Sequence, residues 1–315
     1  MSAAGRSRAA VRSRVVIVGT GLIGTSLALA LRRRAPRIHI TGFDAKRAHA
    51  DAARRRGALD AIANSLDSAV AQGGLIVFAT PLQALVRQLP RSIERAPSGS
   101  FLIDVGPLFA PLAAAVRAPL ARRRGAVGLV LGHPLAGREL RGPRAADAAL
   151  FEGRPFALFA PPQPRRAHAW RTAEAIARRV GARPVRLDPA QHDRLIASMS
   201  AMPQLASVAI ALAAGRGQRK SMPTLAGPGF DSATRLADSP FSIWSAAIAQ
   251  NAGNAARALA ALERAARRLR SALQSGNLAK IEADFRAAAA VRRRILRPGT
   301  RSAATRNSSG RSTAR

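Results

Sequence analysis

Through residue 188 the chain alternates short apolar runs with longer segments of mixed polarity. RVVIVG (14–19) is continuously apolar after its first residue, the pattern of a strand buried on both faces. RIHITGFD (37–44), GLIVFATP (74–81), SFLIDVGP (100–107), VGLVLGHP (127–134) and RPFALFAPP (154–162) repeat it, and most of these runs stop at proline. Segments of helical length lie between them. The first ends in three arginines at 32–34, which suit the negative end of a helix dipole. KRAHADAARRRGA reads as a helix closed at Gly57, and residues 169–189 add a last helix and strand. Such alternation predicts an α/β domain, a parallel sheet with helices on both faces.

After Asp188 the pattern changes. QHDRLIASMSAMPQLASVAIALAAG (191–215) is apolar on nearly every helical face and is interrupted only by Pro203. A helix of that kind is buried, in a core or between subunits. Residues 242–277 and 278–296 complete an all-helical second half. The expected organisation is a basic flexible arm (1–13), a nucleotide-binding domain (14–188), a helical domain (189–296) and a disordered basic tail (297–315). Residues 15–31 are apolar enough to suggest a signal peptide or a short membrane span. Three spaced glycines within them argue against both, and no other stretch reads as long enough to cross a bilayer.

Composition narrows the function classes. The 315 residues contain no cysteine, which excludes disulfide scaffolds and thiolate metal sites and fits a reducing, cytoplasmic compartment. The formal charge of +34 comes almost wholly from arginine. Nucleic acid is not the expected partner, because neither a base-reading motif nor an aromatic platform accompanies the charge.

The chemistry starts at Gly19-Thr20-Gly21-Leu22-Ile23-Gly24, a G-x-G-x-x-G between a strand and a helix. Gly19 allows the tight turn, Gly21 a close approach of backbone to pyrophosphate, and Gly24 helix–strand packing. The helix N-terminus then offers free N–H groups to the anion. Asp44 ends the next strand, twenty positions after Gly24, where a carboxylate accepts hydrogen bonds from ribose hydroxyls and repels a 2′-phosphate. The cofactor expected is NAD, with NADP left open by Lys46 and Arg47 close behind. Thr80, in FATP, stands at another strand end on the ligand edge of such a sheet. His133 follows an apolar strand and precedes Pro134, a stiff turn that aims a group able to act as a base near neutral pH.

VVIVGTGLIGTSLALAL, FATP, DVGPLFAP, GHPLAGRE, HDRLIASMSAMPQLASVAIALA and GFDSATRLADSPFSIWSAAIAQN occur in that order. From about residue 15 to 295 the chain resembles the prephenate and arogenate dehydrogenases, NAD(P)-dependent enzymes of tyrosine biosynthesis. The resemblance implies a Rossmann-type domain followed by a helical dimerisation domain, and a homodimer. It also implies oxidative decarboxylation of prephenate to 4-hydroxyphenylpyruvate, or of arogenate to tyrosine. In that reading His133 takes the proton of the ring hydroxyl as hydride leaves the same carbon. Arg235 matches an arginine that binds a substrate carboxylate, a role suited to its planar fork. Gln204 and Arg138 line the pocket. His192 matches a family position and is equally well read as a cap or packing residue.

The departures cluster in one pocket. Pro107 stands where the family has a serine, with Leu108 and Phe109 after it in place of a spaced lysine. Arg138 replaces a small hydroxyl residue, and Ala201 and Gln204 replace two histidines. These changes keep open a second reading, an NAD-binding family member with another substrate or a regulatory role. Retention of both His133 and Arg235 favours the enzyme, since NAD binding alone needs neither.

Overall fold

The computed structural model describes residues 14–137, 140–215 and 222–296. The expected arm and tail, and Arg138, lie outside the described residues. The chain divides into two compact units, residues 1–256 and 257–315.

The first unit is built on an eight-stranded sheet of order β3-β2-β1-β4-β5-β6-β7-β8. Its strands are β1 (Arg14–Val18), β2 (His39–Phe43), β3 (Ala61–Ile62), β4 (Leu75–Phe78), β5 (Phe101–Asp104), β6 (Gly128–Pro134), β7 (Pro155–Phe159) and β8 (Arg183–Arg186). The first six follow the 3-2-1-4-5-6 order of the Rossmann fold. Each strand read from an apolar run is present. The two-residue β3 was not foreseen, since no apolar run marks it. The sheet is not wholly parallel as expected: β7 runs antiparallel to β6, pairing His133 with Ala157. A long connection, 135–154, lets the chain reverse there, whereas every other link carries a helical crossover or joins neighbouring parallel strands.

Strand alternation sends side chains to two cores. Val15, Ile17, Ile40, Val77, Ile103 and Val130 pack against helices α1 (Leu22–Arg34) and α6 (Arg166–Arg179). Val16, Val18, Ile76, Phe78, Leu102 and Leu129 pack on the other face, against α4 (Leu82–Arg95) and α5 (Ala110–Arg122). Leu85 and Leu89 of α4 are fully buried there, each contributing roughly 2 kcal/mol of apolar transfer. Helix α2 (Arg47–Arg55) ends where Gly57 takes a φ of +72°, and the short α3 (Leu66–Val70) carries a Ser65–Ser68 capping box.

Beyond the sheet, Asp188 caps α7 (Pro189–Ile196) by accepting from the N–H of Gln191. A π-helical turn over Ala197–Ala201 joins α7 to α8 (Met202–Ala214). Pro203 cannot donate to the helix ladder, and the widened turn absorbs the break. The result is one 26-residue helical stretch, Pro189–Ala214, long and apolar enough by length and composition to cross a membrane. That corrects the expectation that no second stretch is. Proline and scattered polar residues disguised its continuity in the sequence. Those polar residues face protein: His192, Asp193, Gln204 and Ser207 are buried. Leu195, Met199, Ile210 and Leu212 are exposed, so the stretch is not enclosed in this chain's own core. The unit continues through α9 (Met222–Leu225), α10 (Pro228–Thr234), a 3-10 turn Arg235–Asp238 and α11 (Phe241–Gln250) into the start of α12 (Ala252–Gln274).

The described part of the second unit holds the remainder of α12 and α13 (Leu278–Leu296). Arg268 and Asp284 pair across them at 2.9 Å. Leu273, Leu278, Phe285, Val291, Ile295 and Leu296 are exposed in it.

Candidate active site

Strands β1, β4, β5 and β6 are parallel, so their carboxyl ends share one edge of the sheet. At that edge β1 delivers the glycine turn, β4 delivers Thr80, and β5 delivers Asp104. Strand β6 runs four residues past its last pairing with β5, and those residues carry His133 outward.

The glycine turn is forced by close packing. Gly19 has a φ of +90°, and a Cβ there would stand 2.5 Å from the carbonyl oxygen of Ala79 and 2.9 Å from Cγ2 of Thr80. A Cβ on Gly24 would lie 1.9 Å from the carbonyl oxygen of Gly19. Gly21 differs, with no atom within 4 Å of its Cβ position. It is the N-cap of α1 and makes no side-chain cap bond. The first-turn N–H groups of Leu22 and Ile23 thus sit beside open space, the arrangement that receives a phosphate. These residues fit the pyrophosphate of a dinucleotide.

Asp44 holds this loop. Its Oδ2 accepts from the N–H of Thr20 at 2.8 Å and from Thr20 Oγ1 at 3.2 Å, while Oδ1 accepts from the N–H of Lys46 at 2.9 Å. A carboxylate oxygen has two lone pairs, so Oδ1 keeps capacity for a sugar hydroxyl. Thr80 packs its methyl on Gly19 and donates its hydroxyl to Gln88 at 2.7 Å.

His133 is half-buried, and its Nδ1 lies 3.0 Å from Nε2 of His192. Nδ1 of His192 lies 2.7 Å from Oδ1 of Asp193. Asp193 in turn accepts the N–H groups of Phe109 and Ala110, at 2.9 Å each, at the start of α5. Asn251 donates to its backbone carbonyl. The ring of Phe109 stacks on His192 with centroids 3.8 Å apart. Burial pushes the His133 imidazole well below its ordinary value; neighbouring His192 adds to that and Asp193 opposes it. His133 is therefore neutral at physiological pH and able to accept a proton.

Asp104 is fully buried and accepts from the N–H groups of Gly106 and Gly132. Burial raises its carboxyl to about 8, against those hydrogen bonds. Near neutrality it is largely uncharged, and the acidic side chain that the histidine pair meets is Asp193.

Gln204 is buried, and its Nε2 donates to the carbonyl of Leu236 at 2.7 Å. Ser207 accepts from the N–H of Ala237. These bonds tie α8 to the 3-10 turn whose first residue is Arg235, itself exposed. The structure therefore brings His133 to His192, and Gln204 to the Arg235 turn. Sequence reasoning overlooked Asp193 and Phe109. The adjacency His192-Asp193 was a readable signal, since neighbouring ionisable residues at a helix start often bond. Phe109 appeared only as a departure from a motif.

Residues 27–186 match the family described as prephenate dehydrogenase, nucleotide-binding domain, and residues 188–287 match prephenate dehydrogenase, dimerization domain. The glycine turn precedes the first match and stands on its geometry. Prephenate dehydrogenase of Bacillus subtilis (strain 168) is 27% identical over 74% of this chain and 63% of its own length. The Streptomyces niveus protein named "Probable prephenate dehydrogenase NovF" is 34% identical over 62% of this chain and 51% of its own length. The chain thus spans between half and two thirds of these curated relatives. The prephenate dehydrogenase of A. aeolicus, solved with hydroxyphenyl propionate and NAD+, superposes with a TM-score of 0.79 at 21% identity. The match covers 90% of this chain and 98% of that one.

Proposed function

The chain belongs to the prephenate dehydrogenase family, and from that membership we propose that it is an NAD-dependent dehydrogenase acting on prephenate or arogenate. The observation that carries the reading is a neutral, strand-end imidazole on the same sheet edge as an open glycine turn. NAD supplies the hydride acceptor when bound. Gly19, Gly21, Leu22, Ile23, Gly24, Asp44 and Thr80 hold it, through backbone N–H groups at the pyrophosphate and a carboxylate at the ribose. His133 accepts the ring-hydroxyl proton as the hydride leaves the carbon bearing that hydroxyl. Loss of the ring carboxylate as carbon dioxide then yields the aromatic ring, which makes the step effectively irreversible. Arg235 binds a carboxylate of the substrate, and Gln204 and Arg138 complete the pocket. The nucleotide-binding domain ends at Asp188, where the last strand hands over to a capped helix, and the helical domain follows it. A homodimer fits the exposed apolar residues of α8 and α13, which a second copy would cover.

The decisive assay offers prephenate and arogenate separately with NAD and follows NADH absorbance. The proposal expects turnover of one or both; no turnover of either rejects it and leaves a binding or regulatory family member.

Asp44→Ala is expected to weaken NAD and relatively favour NADP, because a carboxylate that repels a 2′-phosphate is removed. It also deprives the N–H of Thr20 of its acceptor, so affinity for both cofactors falls while their ratio shifts towards NADP. Titration of both cofactors by fluorescence measures this. Tighter binding of NADP by the unchanged protein would remove Asp44 from its assigned role.

A further inference from the structure

We propose that His192 and Asp193 form a hydrogen-bonded relay that fixes His133 in a single tautomer, with its proton on Nδ1 and Nε2 left as the basic nitrogen. The inference rests on the reading of His133 as the base, and it follows from donor and acceptor accounting. Asp193 accepts two backbone N–H groups at the head of α5, so it is held as an acceptor and anchored to the fold. An ionised carboxylate cannot donate, so the 2.7 Å contact to His192 requires the proton to sit on Nδ1 of His192. With its one ring proton on Nδ1, His192 has a bare Nε2. The 3.0 Å contact to His133 requires a donor, and only Nδ1–H of His133 can be that donor. Nε2 of His133 is the nitrogen left outside the relay.

The packing keeps the relay in register. The Phe109 ring lies against the His192 ring at an interplanar angle of 15°, which prevents imidazole rotation. His192 and Asp193 are both almost fully buried, so water does not compete for their bonds. Orientation of the base comes here from the helix behind it. As His133 gains the substrate proton at Nε2, it becomes an imidazolium whose Nδ1–H points along a chain ending in a carboxylate. Histidine–carboxylate pairs of this kind both orient and stabilise the charge that forms. His192 and Asp193 are positioning residues, since neither is assigned contact with substrate.

The test uses the full chain with ¹⁵N-labelled histidine. Two-bond imidazole spectra, assigned by the signals lost in His133→Asn, report the tautomer of His133. The Nδ1–H form is expected in the unchanged protein, and a mixture of both forms in His192→Gln. Kinetically, Asp193→Asn and His192→Gln should lower kcat by roughly 10²-fold, a smaller loss than removal of the base itself, with KM for both substrates within about twofold. A purely structural role would instead lower Tm while each folded molecule kept its kcat. That result overturns the proposal, as does an Nε2–H tautomer of His133 in the unchanged protein. If the unchanged protein oxidises neither prephenate nor arogenate, the functional reading fails, and the tautomer spectra still decide the relay.

Discussion

His133→Asn is expected to lower turnover by roughly 10²- to 10⁴-fold, the usual worth of a positioned general base, while NAD affinity stays unchanged. The ring is not part of the glycine turn, and its hydrogen bond to His192 can be kept by an amide of similar reach. The activity of the unchanged protein should also have an acid limb below the ordinary histidine range. Burial depresses the His133 imidazole in the folded protein, so the base stays neutral as pH falls through the unperturbed value and is lost only when pH reaches the depressed one. The same depression makes the unfolded chain the stronger proton binder over that window. His133 therefore contributes stability that is complete above its unfolded value and declines as pH falls. Steady-state rates from pH 2 to 9, with thermal unfolding over the same range, measure both effects. A variant whose rate survives, or an acid limb at or above the ordinary imidazole value, would mean that the proton goes elsewhere.

The second large effect separates two glycines of one motif. Gly24→Ala places a methyl 1.9 Å from the carbonyl oxygen of Gly19 and 3.1 Å from Ile17 Cγ2. Both are parts of a packed strand and turn, so α1 must move off the sheet. A destabilisation of about 3 kcal/mol or more is expected, visible as a lower Tm whether or not cofactor is present. Gly21→Ala adds the same methyl where nothing lies within 4 Å. That variant should unfold at the temperature of the unchanged protein yet bind NAD at least roughly tenfold more weakly, or about 1.4 kcal/mol. The methyl occupies the space through which the pyrophosphate approaches the helix N-terminus. Thermal unfolding with and without NAD distinguishes the cases. Equal NAD affinity in Gly21→Ala and the unchanged protein would place the phosphate elsewhere.

Much of the molecule was legible in one dimension because its determinants are local. Apolar runs identified six strands, since a strand covered on both faces needs apolar side chains at every position, and the short RPVR strand was read from its place after the last helix. The glycine spacing located the cofactor turn, because steric room at Gly19 and Gly24 is demanded by neighbours a few residues away or on the adjoining strand. The two-residue β3 left no such trace. Nor did the reversal of β7, which depends on how a long connection runs rather than on the strand's own composition. Helix 189–214 was recognised as apolar, yet its exposed leucines and isoleucine follow from what the rest of the chain leaves uncovered.

The sequence by itself determined the order of strands and helices, the glycine turn with Asp44 behind it, and a histidine at a strand end. These rest on spacing and residue type, which no later event in folding alters. Only the tertiary structure decided what stands behind His133. Asp193 reaches the head of α5 more than eighty positions earlier in the chain, and Phe109 closes on His192 from the same turn. Hydrogen bonds and ring stacking act over a few ångströms, so the partners of a buried polar group are set by the packing of distant segments, which spacing along the chain does not record.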